Sequence, residues 1–126
     1  MDREVSEWDR CRKFLEPSIA LHLETGGHTL EDYAAGVRAG YFQLWPGIGA
    51  AVITGTSHTL DGECVNVLVG GGDLAELREI YDRIEAMARD GGAVGIMLIG
   101  RYEWRRDMKA RGMDHISSVF YKRLEH

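Results

Sequence analysis

The sequence predicts one α/β domain on a mixed sheet, with its elements in the order ααβββαβαβ. Its 126 residues are a usual length for a single domain. Apolar residues recur at helical spacing in some segments and alternate at strand spacing in others. A strand–helix–strand unit over residues 63–99 also predicts a crossover connection, which makes its two strands parallel.

Two helices are predicted in the N-terminal part. The first begins at Ser6 and carries apolar residues at helical spacing, and Pro17 should end or kink it because proline lacks an amide donor. The second begins at Thr29, with Asp32 in the capping-box position three residues later. Gly40 is its predicted C-terminal stop.

Three strands with short polar links follow and predict an antiparallel meander. They cover residues 41–45, 50–56 and 63–69 and are rich in aromatic and β-branched residues. The Asp61-Gly62 dipeptide marks the turn between the second and third of them.

The strongest helix of the chain comes next. Gly70-Gly71-Gly72 predicts a turn that leads from the third strand into this helix. Asp73 is the expected N-cap, and Glu76 completes a capping box with it. Gly91 and Gly92 should terminate the helix.

The remaining elements complete one domain over residues 1–123. An almost unbroken apolar run at 94–99 is typical of a strand that is covered on both faces. A short helix is predicted over 103–111 and a last strand over 116–121. This last strand carries no charged residue, so its edge could pair with a second copy of the chain in a homodimer. We interpret residues 124–126 as the remnant of an expression tag.

Charge and cysteine usage exclude several classes of protein. Lys and Arg number 15 against 20 Asp and Glu, a net charge of −5, so we expect no nucleic-acid partner. Cys11 and Cys64 lie far apart, and neither they nor the histidines have metal-ligand spacing, so we expect no metal. No apolar run approaches the roughly 20 residues of a membrane span, and no signal peptide is visible. We therefore predict a cytoplasmic protein without a membrane partner.

Four segments of the second half carry a family resemblance, namely 65–69, 85–92, 94–99 and 111–113. In this order they resemble the Gcn5-related N-acetyltransferase (GNAT) superfamily, whose "LGF" turn is similar to Arg111-Gly112-Met113. The resemblance covers about residues 41–123. More narrowly, four stretches resemble small GNAT-like proteins encoded in tailed-phage and prophage gene clusters: 28–32, 42–47, 70–74 and 100–104.

This resemblance implies an acetyl-CoA-dependent N-acetyltransferase that acts on an unidentified small-molecule or protein amine. In the family, the pantetheine arm of CoA runs along a strand splayed from its parallel neighbour, and the diphosphate sits on the next helix N-terminus. Glycines and free amides at a helix start suit an anion, although triple glycine is also common in plain turns. The matching cofactor-binding positions are Val67, Leu68, Val69, Gly70, Gly71, Gly72, Asp73 and Leu74.

Glu63 and Tyr102 are the candidate catalytic residues. Glu63 lies at the foot of the strand that would be splayed, and either side chain could deprotonate the amine or reprotonate the thiolate if its surroundings shift its pKa. Each also has a simpler interpretation. Glu63 could be a solvent-facing carboxylate at a strand end, and Tyr102 could be an aromatic residue lying half on the core.

Two departures from the family pattern support an alternative hypothesis. The family's Q/R-x-x-G-x-G/A loop has no counterpart here, and Met108 stands where the family often has an acid tyrosine. Asp73 would also place a carboxylate beside a bound diphosphate. The alternative is a non-catalytic GNAT-fold accessory or interaction protein of phage or prophage origin.

A basic segment extends from Arg101 to Arg111 with Tyr102 and Trp104 interleaved. It could form a local patch for anions or nucleic acid, and the family resemblance would place it near the 3′-phosphate of CoA. It could equally be the solvated face of a helix.

Overall fold

The computed structural model describes residues 3–23, 27–98 and 105–114, together with residues 116, 122 and 124. The predicted order is confirmed as far as the fourth helix. The predicted last strand lies outside the described residues apart from Ile116. The elements are α1 (Arg3–Leu23), α2 (Leu30–Ala39), β1 (Gln43–Pro46), β2 (Ala50–Thr59), β3 (Gly62–Gly72), α3 (Leu74–Asp90), β4 (Gly95–Leu98) and α4 (Arg105–Ala110).

The four strands form one mixed sheet in the order β1-β2-β3-β4. β1 and β3 both pair antiparallel with β2, which confirms the predicted meander. β3 and β4 pair parallel, from Cys64 opposite Gly95 to Val67 opposite Leu98. The crossover through α3 is therefore present, and the α/β fold class is confirmed.

Helices cover both faces of this sheet because alternate residues of the central strand point to opposite sides. Ala51 and Ile53 of β2 belong to a buried cluster with Leu15 of α1 and other residues of α1 and α2. Ala50 and Val52 belong to a second cluster with α3. We call these the α1-side cluster and the α3-side cluster. Each helix layer thus buries one face of the same strands.

The first helix continues through Pro17 to Leu23, so of the two predicted effects of this proline, an end or a kink, the end is wrong. Proline removes one amide donor from the helix. Leu15 and Ile19 lie on either side of it and are buried against the sheet, with 0% and 3% of their surface exposed. Burial of this apolar stripe holds the helix together across the missing hydrogen bond.

The caps of α2 are those predicted from the sequence. The Asp32 amide donates to the Thr29 hydroxyl at 3.1 Å, and the Thr29 amide donates to the Asp32 carboxylate at 3.0 Å. Gly40 ends the helix with a φ of 84°, a left-handed conformation that glycine adopts without strain. The hydrogen bonds from Thr29 hold the pKa of Asp32 below its usual range.

This lowered pKa makes the cap sensitive to acid. Because the folded state favours the ionised Asp32, its stabilisation is complete above about pH 4 and is lost as the pH falls further. We expect Asp32→Asn to lower the urea midpoint at neutral pH and to differ progressively less from the wild type as the pH falls below 4.

Glu31→Gln, in the same exposed helical turn, is the matched control for this change. Its urea midpoint should differ from that of the wild type only by the general effect of losing an acidic residue near a helix start. A difference in urea midpoint between Asp32→Asn and the wild type that stays constant down to strongly acidic pH would contradict the prediction.

Among the described residues, no helix combines the length and the hydropathy that crossing a bilayer requires.

Candidate functional site

The three glycines predicted to form a strand-to-helix turn lie inside β3 instead. Gly70, Gly71 and Gly72 pair with residues 50–52 of β2, so the sheet continues to the residue before the N-cap of α3. The prediction of a glycine turn is therefore wrong. The sequence signal misled because glycine is common both in turns and at strand positions where other backbone approaches closely.

Backbone atoms of neighbouring elements explain why these positions are glycine. A Cβ on Gly71 would lie 2.0 Å from the carbonyl oxygen of Phe14 in α1. A Cβ on Gly72, whose φ is 109°, would lie 2.3 Å from the carbonyl oxygen of Gly49. At Gly71 and Gly72, two positions that the family resemblance assigns to the cofactor, the space that a side chain would fill is thus occupied by the protein's own carbonyl groups.

The start of α3 differs from the prediction in one of its two capping contacts. Asp73 is the N-cap as predicted, because its carboxylate accepts from the Glu76 amide at 3.1 Å. Glu76 does not complete the capping box. Its two carboxylate oxygens accept from the successive amides of Ile48 and Gly49, at 2.6 and 2.7 Å, and the Asp73 amide donates to the Gly49 carbonyl at 2.9 Å. The Ile48 and Gly49 amides belong to the turn between β1 and β2. This turn is distant in sequence from Glu76, so the local sequence could not reveal these two hydrogen bonds.

Two carboxylates near this helix start disfavour a diphosphate. The Asp73 carboxylate accepts from the Glu76 amide of the helix, and the Glu76 carboxylate accepts from the adjacent turn between β1 and β2. Like charges in one site repel, so a diphosphate here would lose the attraction that a helix N-terminus otherwise gives an anion. The binding roles predicted for residues 70–74 stay a prediction, and the geometry argues against them.

The neighbouring positions Val67, Leu68 and Val69 contain a β-bulge. In the pairing with β2, Thr54 lies opposite Val67 and Ile53 lies opposite Val69, so Leu68 is an extra residue without a partner. Val67 packs in the α3-side cluster, whereas Leu68 and Val69 pack toward the α1-side cluster. A bulge disrupts the ladder locally and leaves backbone groups free for other partners.

The described pairing of β3 with β4 extends as far as Val67 with Leu98, and Leu98 is the last residue of β4 that the structure describes. No residue type in the segment signals the bulge, so sequence reasoning could name these positions only through the family resemblance.

Glu63 lies in a separate groove at the other end of β3. The groove has a volume of about 190 Å³ and lies between the strands and the C-terminal end of α3. Val65, Met87 and Ala88 give it apolar walls. It is also lined by Gln43, Thr54, Thr56 and Glu63.

The structure does not bring Glu63 to the bulge. Five residues of extended strand separate it from Leu68, which is a distance of roughly 16 Å. Direct proton transfer needs heavy atoms within about 3 Å, so a proton would have to pass between the two places through water. Tyr102, the second candidate catalytic residue, lies outside the described residues.

Ion pairs of the basic segment attach α4 to α3. Arg78 and Asp107 pair at 3.0 Å, and Arg111 pairs with Asp82 while its guanidinium lies 4.9 Å from the ring centre of Tyr81. These contacts favour the interpretation of this segment as a docked helix with a solvated face. In the parts of the chain that the structure covers, no three His, Cys, Asp or Glu side chains come together as a metal site.

Comparisons with known proteins give matches in structure only. No protein-family model matches the chain, and no curated protein is detectably similar in sequence. The fold matches the protein TTHA1254 from Thermus thermophilus, both as a point mutant (TM-score 0.62, 18% identity, 96% of this chain and 92% of that chain) and as the wild type (TM-score 0.60, 19% identity, 94% and 91%).

The fold also matches an acetyltransferase from Trypanosoma brucei, with a TM-score of 0.58 and 12% identity over 86% of this chain and 94% of that chain. At such low identity, a structural likeness shows the fold and leaves function to be argued from the site. The narrower resemblance to phage and prophage proteins stays a prediction. This chain has an α/β fold similar to that of an acetyltransferase, in agreement with the GNAT-like fold predicted from its sequence.

Proposed function

We propose that this protein is a GNAT-like N-acyltransferase, which binds an acyl thioester such as acetyl-CoA along β3 and passes the acyl group to an amine. One observation carries the proposal: the pairing of β2 with β3 contains a β-bulge at Leu68, within the residues 67–69 that the family resemblance assigns to the pantetheine arm. The likeness to an acetyltransferase fold supports it.

Backbone chemistry explains why a bulge suits this role. An acyl thioester supplies a carbonyl carbon that an amine can attack, with release of the thiol. A backbone amide freed by the bulge is a suitable donor to the oxygen of that carbonyl. The pantetheine arm carries two amide groups, so it can pair with the edge of β3 as an added peptide strand does.

The acceptor is an amine of a small molecule or of a protein. Glu63 remains the candidate base, acting from its groove through water, and Tyr102 remains the candidate acid. We place the protein in the cytoplasm on the basis of its composition and reduced cysteines.

Titration of acetyl-CoA into ¹⁵N-labelled protein tests this function at the level of single residues. We expect the amide shifts to change most at Val67, Leu68 and Val69, with little change at Leu60 in the distant β2–β3 turn. In the same samples, we expect acetyl-CoA to release free thiol when amines from a panel are added. The rate of this release should be lower in Glu63→Gln than in the wild type. Shift changes confined to the groove around Glu63 would contradict the proposed place of the thioester.

A non-catalytic interaction protein is the second candidate, and a specific observation favours it. Asp73 and Glu76 occupy the helix start where the family resemblance places a diphosphate. The titration separates the two candidates. Absence of any change in amide shifts with acetyl-CoA and with a thioester of free pantetheine would leave the non-catalytic function as the better proposal.

A further inference from the structure

We propose that the groove beside Glu63 is a binding site for a primary alkylammonium group, a charged amine on a short aliphatic stem. The groove lies at the N-terminal end of β3, roughly 16 Å along the strand from the bulge at Leu68. The inference therefore goes beyond the proposed function and does not depend on it. It follows from the charge, the hydrogen-bonding groups and the size of the groove.

The pairing of the strands places the polar side chains of the groove on one face of the sheet. Residues directly opposite in paired strands share a face, and so do residues two apart along one strand. Gln43 lies opposite Thr54. Thr56 lies opposite Val65, which is two residues from Glu63. All five line the groove, where the sheet extends past the C-terminal end of α3.

The charge of the groove favours a cation. Glu63 is exposed, and its carboxylate makes no hydrogen bond or ion pair with the residues that the structure describes. Gly91, which ends α3, also lines the groove, and the last carbonyl groups of a helix carry partial negative charge. Of the described residues that line the groove, none is a lysine or an arginine, and His58, opposite Glu63, is not among them. An anion would therefore meet like charge here.

The polar groups of the groove are acceptors, which is what an ammonium group needs. Such a group has three N–H donors and no acceptor. The Glu63 carboxylate can only accept, and the Gln43 amide oxygen and the Thr56 hydroxyl can accept as well. Thr54 is the buried member of the set, 3% exposed, and its hydroxyl accepts from the Trp45 indole at 2.9 Å. A hydroxyl oxygen has two lone pairs, so one remains for a ligand.

The size and the walls of the groove limit the ligand to a small group with an apolar stem. Its volume of about 190 Å³ is below the 300–1,000 Å³ of sites for drug-sized ligands. Val65, Met87 and Ala88 form apolar walls against which methylene groups can pack. Tyr41 also lines the groove and is 78% exposed, and an aromatic ring attracts a cation. A short alkylamine or the end of a lysine side chain matches these features.

Three probes with similar stems test the inference by titration into the ¹⁵N-labelled full chain: n-butylamine, 1-butanol and butyrate. They present a cation, a neutral hydroxyl and an anion. We expect n-butylamine to cause saturable changes in the amide shifts of Thr56, Glu63 and Gly91, in the millimolar range that suits so small a ligand. The other two probes should bind more weakly by about tenfold or more.

Titration with Nα-acetyl-lysine N-methylamide separates the two sources of such a group. Binding as tight as that of n-butylamine would support a lysine side chain of a protein as the ligand. Weaker binding would support a free small amine.

Glu63→Gln nearly keeps the shape of the side chain and removes its charge. It should weaken n-butylamine by about tenfold and leave 1-butanol unchanged, because only the cation gains from the carboxylate. Glu79→Gln is the matched control. It makes the same change at an exposed position of α3 that does not line the groove, so it should alter neither affinity.

Equal binding of the three probes would overturn the inference, and so would equal affinity of n-butylamine for Glu63→Gln and the wild type. Glu63 would then be a solvated carboxylate at a strand end. Neither result bears on the titration with acetyl-CoA, so the inference and the proposed function are tested separately.

Discussion

Replacement of Gly71 by alanine is expected to destabilise the protein by about 2–3 kcal/mol, the upper part of the range for overpacked sites. The new Cβ would lie 2.0 Å from the carbonyl oxygen of Phe14, which belongs to the backbone of α1. A flexible side chain could turn away, but this oxygen can move only if the helix shifts on the sheet. Urea denaturation followed by circular dichroism measures the loss.

Gly95→Ala is the matched control, because it makes the same change in the same sheet. Its Cβ would lie 4.0 Å from the Cys64 sulfur, which is ordinary contact, so we expect little loss of stability. Equal midpoints for the two variants would show that α1 does not approach Gly71 as closely as described. The result also bears on function, since a bulky residue at Gly71 disturbs the fold and cannot serve as a selective probe of ligand binding.

Replacement of Glu76 by alanine is expected to cost about 2 kcal/mol, because it removes a charged acceptor from two backbone amides. Ile48 and Gly49 donate to this carboxylate at 2.6 and 2.7 Å. Without it, the turn between β1 and β2 loses both hydrogen bonds to the Glu76 side chain and keeps the one from the Asp73 amide to the Gly49 carbonyl. Hydrogen exchange at these two amides should accelerate more than at the amides of the β2–β3 turn.

Glu79→Ala is the control on the same helix. Its side chain is exposed and makes no hydrogen bond or ion pair with the residues that the structure describes, so its removal should change stability by less than about 0.5 kcal/mol. A loss for Glu76→Ala no larger than that for Glu79→Ala would mean that the carboxylate does not hold the turn. Glu76→Gln should fall between them, since its amide keeps one acceptor oxygen.

Much of the fold could be predicted from the sequence because its signals are local. Thr29, Asp32 and Gly40 specify the two ends of α2 through contacts within a few residues, and Asp73 caps α3 in the same way. The Asp61-Gly62 turn predicts the β2–β3 hairpin for the same reason. The crossover at residues 63–99 then follows from the order of the elements.

The candidate site could be predicted only in part. The family resemblance named residues 67–69, yet the bulge at Leu68 depends on how β2 pairs with β3, and the residue types do not encode that register. Glu63 could be predicted as a candidate catalytic residue from its place at the foot of the strand that the family resemblance would splay. Its groove is formed by the C-terminal end of α3, which is distant in sequence.

The sequence by itself determined the order of the elements as far as α4, both caps of α2, the N-cap of α3 and the meander, because each depends on neighbours along the chain. Tertiary structure decided that α1 continues through Pro17, that Gly70–Gly72 form strand and not turn, and that Glu76 holds the β1–β2 turn. In each case, burial or a hydrogen bond between distant segments outweighs the local preference.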